Sequence, residues 1–470
     1  MRALPLLMAV FLLTLAPRAQ AGPFLTPEVA TLPSGVTVVT QAWEGEALGD
    51  QALVMLAFRG GPVEEEPRLR GLTHWLTQTL ARAVQDTFHV PGDPEGTFVS
   101  AELDAEYAAV VIRASTRRLE SVWPLLVDVI TDPDHTWLRY APDPQDEAAR
   151  LAALQSDGPF MVDLLLRTHL LEGSPYVNPL VGTPATWVGL REDDLAGWAQ
   201  RLMHPARTIL TVVHPPSFQP STLQAPLEAW RVDREPQPLP EFGIPRLTHE
   251  TQVLRPREGV VPTISLGFSG PSVRGADLPA FLVVAAALGD RQSGRFAETR
   301  GDGLGQALLT DWIVERHRQG SHVAFQFTMD ATGDIFALHR RIVLIMRQVL
   351  AEGLSEAEVA RAQGRLQALL GGRNADPGAM ATWLTSWTVW ESVASGRRFE
   401  GRIGAVTVQE VNAALGTYFR LDQSVAAGLA ANLPDDYYFP NRSDVHWGTF
   451  IHPRDRGIPA PEQPYVDPDP

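Results

Sequence analysis

Apolar positions along this chain fall into two alternating periods. Residues 35–41 read as a strand, and residues 52–58 as a second strand that is apolar at nearly every position. Gly60-Gly61-Pro62 ends that run, and a polar, acidic stretch follows. Leu72, Leu76, Leu80 and Val84 then recur at helical spacing, which predicts a helix over 71–84. The same reasoning gives a strand over 106–112 and helices over 119–130 and 160–171. A further helix runs from near Glu192 to Met203-His204-Pro205, followed by a strand over 208–213.

Residues 215–245 are rich in proline and hold few consecutive apolar residues, as a linker would. Beyond them the order of elements repeats. A strand at 264–268 followed by Gly270-Pro271 echoes the strand at 54–58 followed by Gly61-Pro62, and a helix over 278–288 echoes 71–84. At the far end, residues 410–419 echo 194–203. Ser355 with Glu358, and Thr407 with Glu410, have the spacing of capping boxes. The expected organisation is a leader over 1–21, a first domain over 22–214, the linker, a homologous second domain over 246–432, and a proline-rich tail over 433–470.

A length of 470 residues accords with two domains, since one core rarely organises so long a chain. The formal charge of −16 argues against a nucleic-acid partner, because phosphate binding rests on Lys and Arg. The N-terminus opens with Met1-Arg2, runs apolar over 3–16 and offers Ala19-Gln20-Ala21, the signature of a cleaved secretory signal. An uncleaved anchor is the alternative, but the run is shorter than the ~20 residues a spanning helix needs. No other stretch is long and apolar enough to span, so a periplasmic or secreted location without a membrane span is expected. The chain has no cysteine, so disulfides and thiolate metal sites are absent.

The run Gly71-Leu72-Thr73-His74-Trp75-Leu76-Thr77-Gln78 resembles the Gly-x-x-His-x-x-Glu-His segment of the pitrilysin/insulinase zinc peptidases, the inverzincins. Two imidazoles at i and i+4 on one helix face bind Zn²⁺ in that motif, and the carboxylate at i+3 activates its water. Here His74 survives, Thr77 stands at the position of the general base, and Gln78 at that of the second histidine. The family's third ligand, a Glu on a later helix, would fall in residues 151–159, which contain no Glu; Glu147, one turn earlier, is the nearest candidate. Residues 174–183 resemble the family's Pro/Gly-rich segment after the ligand helix, and the likeness extends over roughly 32–430.

The resemblance implies an α+β fold of two tandem homologous domains, as in mitochondrial processing peptidase. Each would be an antiparallel sheet with helices on one face, the pair arranged as a clam shell around a cavity. Active members also use an Arg and a nearby Tyr of the second domain to hold substrate. Arg300 with Gly303-Leu304 fits that place, but Gln306 or Ala307 takes the position of the Tyr. The chain therefore resembles the non-catalytic subunits of the family, such as the alpha subunit of mitochondrial processing peptidase. No resident cofactor is expected, no catalytic residue is assigned, and the substrate-binding candidate is Arg300. The partner would be an active family peptidase or a second copy, and the ligand an extended peptide. The alternative is a weakly active zinc metalloendopeptidase whose altered site uses His74, Gln78 and Glu147. Elsewhere the chain shows no nucleophile elbow, no phosphate loop, and no closely spaced histidine pair apart from His446 and His452.

Overall fold

The computed structural model describes residues 26–88, 97–132, 134–154, 157–244, 247–257, 259–301 and 305–431. The leader, the whole of the tail over 433–470 with His446 and His452, and Gly303-Leu304 lie outside them.

The first half contains β1 (Glu28–Thr31), β2 (Thr37–Ala42), β3 (Gln51–Arg59), α1 (Leu72–Phe88), β4 (Phe98–Leu103) and β5 (Tyr107–Ser115). It continues with α2 (Thr116–Thr131), α3 (Pro144–Ala153), α4 (Gly158–Leu170), α5 (Pro184–Gly189), α6 (Glu192–Leu202) and β6 (Thr208–His214). A short α7 (Gln224–Glu228) lies in the proline-rich connection. The second half holds β7 (Thr251–Pro256), β8 (Thr263–Gly270), α8 (Leu278–Gly289), β9 (Leu309–His317) and β10 (Gly320–Thr328). After these come α9 (Ile335–Glu352), α10 (Glu356–Gly372), α11 (Pro377–Trp390), α12 (Val393–Ile403), α13 (Val408–Tyr418) and β11 (Ser424–Ala430). No helix among the described residues is long and apolar enough to cross a membrane.

The duplication is explicit in the strand order. The first sheet runs β1-β2-β6-β3-β5-β4 and the second β7-β11-β8-β10-β9, so the second repeats the first without its outer strand. Even the exceptional parallel pair recurs, β2 beside β6 and β7 beside β11. The other strand pairings within the two sheets, among the described residues, are antiparallel. Both expected capping boxes form, Ser355 with Glu358 and Thr407 with Glu410.

Each sheet carries helices of its own half on one face. The opposite face receives a helix from the other half: α11 lies on β3 and β6, and α4 lies on β8 and β11. These two helices occupy equivalent places in the repeat, so the exchange is reciprocal. It explains why β3 is apolar throughout rather than alternating. Val54, Leu56 and Phe58 face the core shared with α1 and α2, while Leu53, Met55 and Ala57 face the core that includes α11. On the other side, Leu165, Leu166 and Leu170 of α4 pack with Val253, Ala324, Val425 and Ala427. Gly267 permits this approach, since a Cβ there would meet Leu166 Cδ1 at 2.9 Å.

The proline-rich connection is laid along the protein by specific bonds. Arg207 donates to the carbonyl of Gln237, His204 contacts that of Arg234, and Arg318 donates to that of Pro240. Trp230, Leu223 and Leu227 are buried in the first core.

Candidate functional site

The N-terminus of α1 is built around a buried carboxylate. Glu65 accepts from the backbone N–H of Gly71 at 2.8 Å and of Thr73 at 2.6 Å, supplying the acceptors that the free first-turn donors require. Burial pushes its carboxyl up to about 7, against these hydrogen bonds. Gly71 is needed at the turn: its φ is +102°, and a Cβ would meet Trp187 Nε1 at 2.8 Å.

One turn along α1, His74 sits edge-on to Trp187, ring centroids 5.8 Å apart. Glu147 of α3 reaches it, with Oε1 3.1 Å from His74 Nε2. α3 is set there by its Asp143 cap, by contact with α5, and by Trp75 Nε1 donating to the Pro142 carbonyl at 3.0 Å. The structure thus brings together the two candidate ligands His74 and Glu147, whose side chains are 12 % and 14 % exposed.

The carboxylate is already committed. Arg150, one turn on, donates Nε to Glu147 Oε2 at 2.8 Å and an Nη to Oε1. Burial would raise the Glu147 carboxyl, but the hydrogen bonds from Arg150 and then His74, with their charges, hold it at about 2. Because the folded value lies below that of an unfolded carboxylate, its stabilisation is present above about pH 4.5 and lost as pH falls toward 2. Glu147→Gln is expected to flatten this acid limb of a urea-unfolding profile by about 1–2 kcal/mol, allowing for solvent screening. An acid limb unchanged in the variant would show that the contact carries no net stability.

The other motif positions offer no metal chemistry. Thr77 is buried and its hydroxyl donates to the Thr73 carbonyl at 2.5 Å, a helix back-bond. Thr73 in turn accepts from Trp198 Nε1. Gln78 shares with His74 the partly exposed stripe of α1, but its amide is a poor zinc ligand. Among the described residues no third His, Asp or Glu converges on His74 and Glu147. Among the described residues, then, two potential ligands stand where a zinc ion of the family type needs three, and one of them is held by a guanidinium.

Arg300 lies in the second half, where its Nη1 donates to the Arg291 carbonyl at 2.7 Å and its backbone bridges Ala307. Ala307 is fully buried. The hydrogen bonds of Arg300 to Arg291 and Ala297 keep it within the second half.

One cluster escaped the sequence reading. His317 and His322 form a closely spaced pair besides His446 and His452, which corrects the expectation of no other, and with Glu315 they are the trio of metal-ligand type among the described residues. The signal was present as a Glu-x-His-x-x-x-x-His run on either side of the Gln319-Gly320 turn.

This arrangement is a two-half α+β fold in which His74 of α1 meets a Glu147–Arg150 pair of α3. No protein-family model and no curated protein sequence matches the chain. Solved structures do, among them proteases and M16-type peptidases. A protease from Helicobacter pylori superposes with a TM-score of 0.75 at 16 % identity, over 86 % of this chain and 99 % of its own. A peptidase M16 inactive domain from Pseudomonas fluorescens gives 0.68 at 15 % identity, over 87 % and 99 %. The first half of the periplasmic protease PqqL from Escherichia coli gives 0.67 at 13 %, over 86 % and 92 %. The chain has the M16 peptidase fold across nearly its whole length.

Proposed function

We propose that this protein is a non-catalytic M16-type homologue of the cell envelope that pairs with an active zinc peptidase, or with itself, and presents a surface for extended peptides. The observation that carries this reading is the α1–α3 site. The position of the general base is a back-bonded threonine, and Glu147, the carboxylate that reaches His74 among the described residues, is paired with Arg150. Loss of a general base alone costs about 10²–10⁴-fold in rate.

Two further features support it. β4 is the edge strand of the first sheet opposite β1 and lies beside α1, so an extended peptide can add to its edge through backbone bonds. A neighbour of the same fold is described as an inactive domain, and another as periplasmic.

The contact of His74 with Glu147 favours a second reading, a weakly active zinc metalloendopeptidase. The purified protein, saturated with Zn²⁺ and given unstructured peptides, is expected to show no turnover above buffer and no change on His74→Ala. Metal-dependent cleavage abolished by His74→Ala would overturn the non-catalytic reading. Co-purification with a peptidase bearing an intact His-x-x-Glu-His run, and cleavage by the pair alone, is the expected result for a subunit.

A further inference from the structure

The β9–β10 hairpin carries a polar cluster that the proposed function does not use. Glu315 and His317 are two apart on β9 and so share a sheet face, and His322 of β10 lies directly opposite Glu315 in the register. His317 is 3 % exposed and His322 fully buried. All four of their ring nitrogens lack a hydrogen-bond partner among the described residues, although buried polar atoms are normally satisfied.

The three side chains converge. Glu315 Oε2 stands 3.5 Å from His317 Nε2 and 4.0 Å from His322 Nε2. One ligand atom from each residue lies within 4.8 Å of both others. These separations are too long, or too poorly aligned, for hydrogen bonds. The 3.5 Å separation is close to the spacing across a coordination tetrahedron, since two atoms each about 2.0–2.1 Å from one ion stand about 3.3–3.4 Å apart, and the 4.0 Å separation is somewhat wider.

We propose that Glu315, His317 and His322 form a binding site for a divalent cation of the Zn²⁺ class, separate from the α1–α3 site. Two imidazoles and one carboxylate are the donor set such an ion prefers, with a fourth position for water. Glu315 is the partly exposed member, at 27 %, and gives the ion a way in. Burial holds both imidazoles below the ordinary histidine value, against the pull of Asp104 and Glu106 on His317 and with Arg167 adding to the shift of His322. The neutral ring is the form that binds metal.

The surroundings orient the ligands. Arg167 of α4 takes Glu315 Oε1, leaving Oε2 to face the imidazoles, and is itself held by Asp163 at 2.9 Å. Tyr176 stacks on His317, centroids 4.2 Å apart, and donates its hydroxyl to Glu106, which also accepts from the Arg318 backbone N–H. The positive charge of Arg167 opposes a cation, and Asp163, Asp104 and Glu106 offset it. Since Arg167, Tyr176 and Glu106 belong to the first half and the ligands to the second, a bound ion would stiffen the contact between them.

The test uses the untagged protein, stripped by chelator and titrated with Co²⁺ and Zn²⁺. One equivalent of Co²⁺ is expected to bind with the visible ligand-field absorption of a four-coordinate site, displaced by Zn²⁺. His317→Gln and His322→Gln should each weaken binding at least tenfold, and His74→Ala should leave it unchanged. X-ray absorption on the Zn²⁺-loaded natural protein, which needs no variant to fold, should show two imidazoles in the first shell. Absence of stoichiometric binding, loss of binding in His74→Ala, or a first shell without two imidazoles would overturn the proposal.

Discussion

Gln78→His combined with Arg150→Ala is expected to turn the α1–α3 ion pair into a zinc-binding site. In the native chain His74 meets Glu147 at 3.1 Å while Arg150 holds both oxygens of that carboxylate. Residue 78 is four positions beyond His74 on the same helix, so a new imidazole would share its face. Removing Arg150 would free Glu147 as the third ligand. A structural zinc site is worth about 10–16 kcal/mol over four ligands, so one added ligand corresponds to roughly 3–4 kcal/mol, or about 10²–10³-fold in affinity. Equilibrium dialysis of the double variant, with His317→Gln in the background to silence the hairpin cluster, measures this gain. Peptidase activity should still be absent, because Thr77 supplies no base. A double variant that binds no more zinc than its parent would mean that α3 does not present Glu147 to the helix face as the geometry requires.

Arg207→Ala is expected to cost about 3–5 kcal/mol, the loss typical when one partner of a buried ion pair is removed. The Glu64 side chain is fully buried and receives two parallel bonds from Arg207, Nη1 to Oε1 at 3.1 Å and Nη2 to Oε2 at 3.0 Å. Arg201 adds a weaker contact at 3.3 Å from a more exposed position, so it compensates only in part. Gly60, at φ +101°, makes room for this carboxylate: a Cβ there would fall 1.9 Å from Glu64 Oε1. The guanidinium also donates to the Gln237 carbonyl, so its loss releases the proline-rich connection as well. Arg207→Lys keeps the charge but not the planar fork and should recover only part of the stability. Urea unfolding of both variants measures the effect. An alanine variant within about 0.5 kcal/mol of the natural protein would show that the pair does not anchor the turn after β3.

The acidic stretch after Gly60-Gly61-Pro62 illustrates how far sequence reading reached. Its composition marked an end to β3, and that end is real. Nothing in the composition separated Glu64 and Glu65, which are buried, from Glu66, which is exposed. Glu64 is buried because Arg207 comes from the far end of the first half, and Glu65 because the start of α1 folds back onto it. β9 was missed for a related reason. Its segment, Leu309-Thr310-Asp311-Trp312-Ile313-Val314-Glu315-Arg316-His317, mixes charge with apolar residues, Asp311 meeting Arg291 of its own half and Glu315 meeting Arg167 of the other, and that obscures the alternation of a strand.

By itself, the chain's order of residues determined the local elements with strong periodicity, the duplication, and the departure of residues 71–78 from the peptidase motif they resemble. Each depends on neighbours within a few positions, where spacing alone places side chains on one face. Tertiary structure alone decided the reciprocal exchange of α4 and α11, the capture of Glu147 by Arg150 beside His74, and the meeting of Glu315, His317 and His322 across a hairpin. Those depend on which surfaces burial forces together and on whether the charges brought along find partners, and such pairings leave no periodic trace in the sequence.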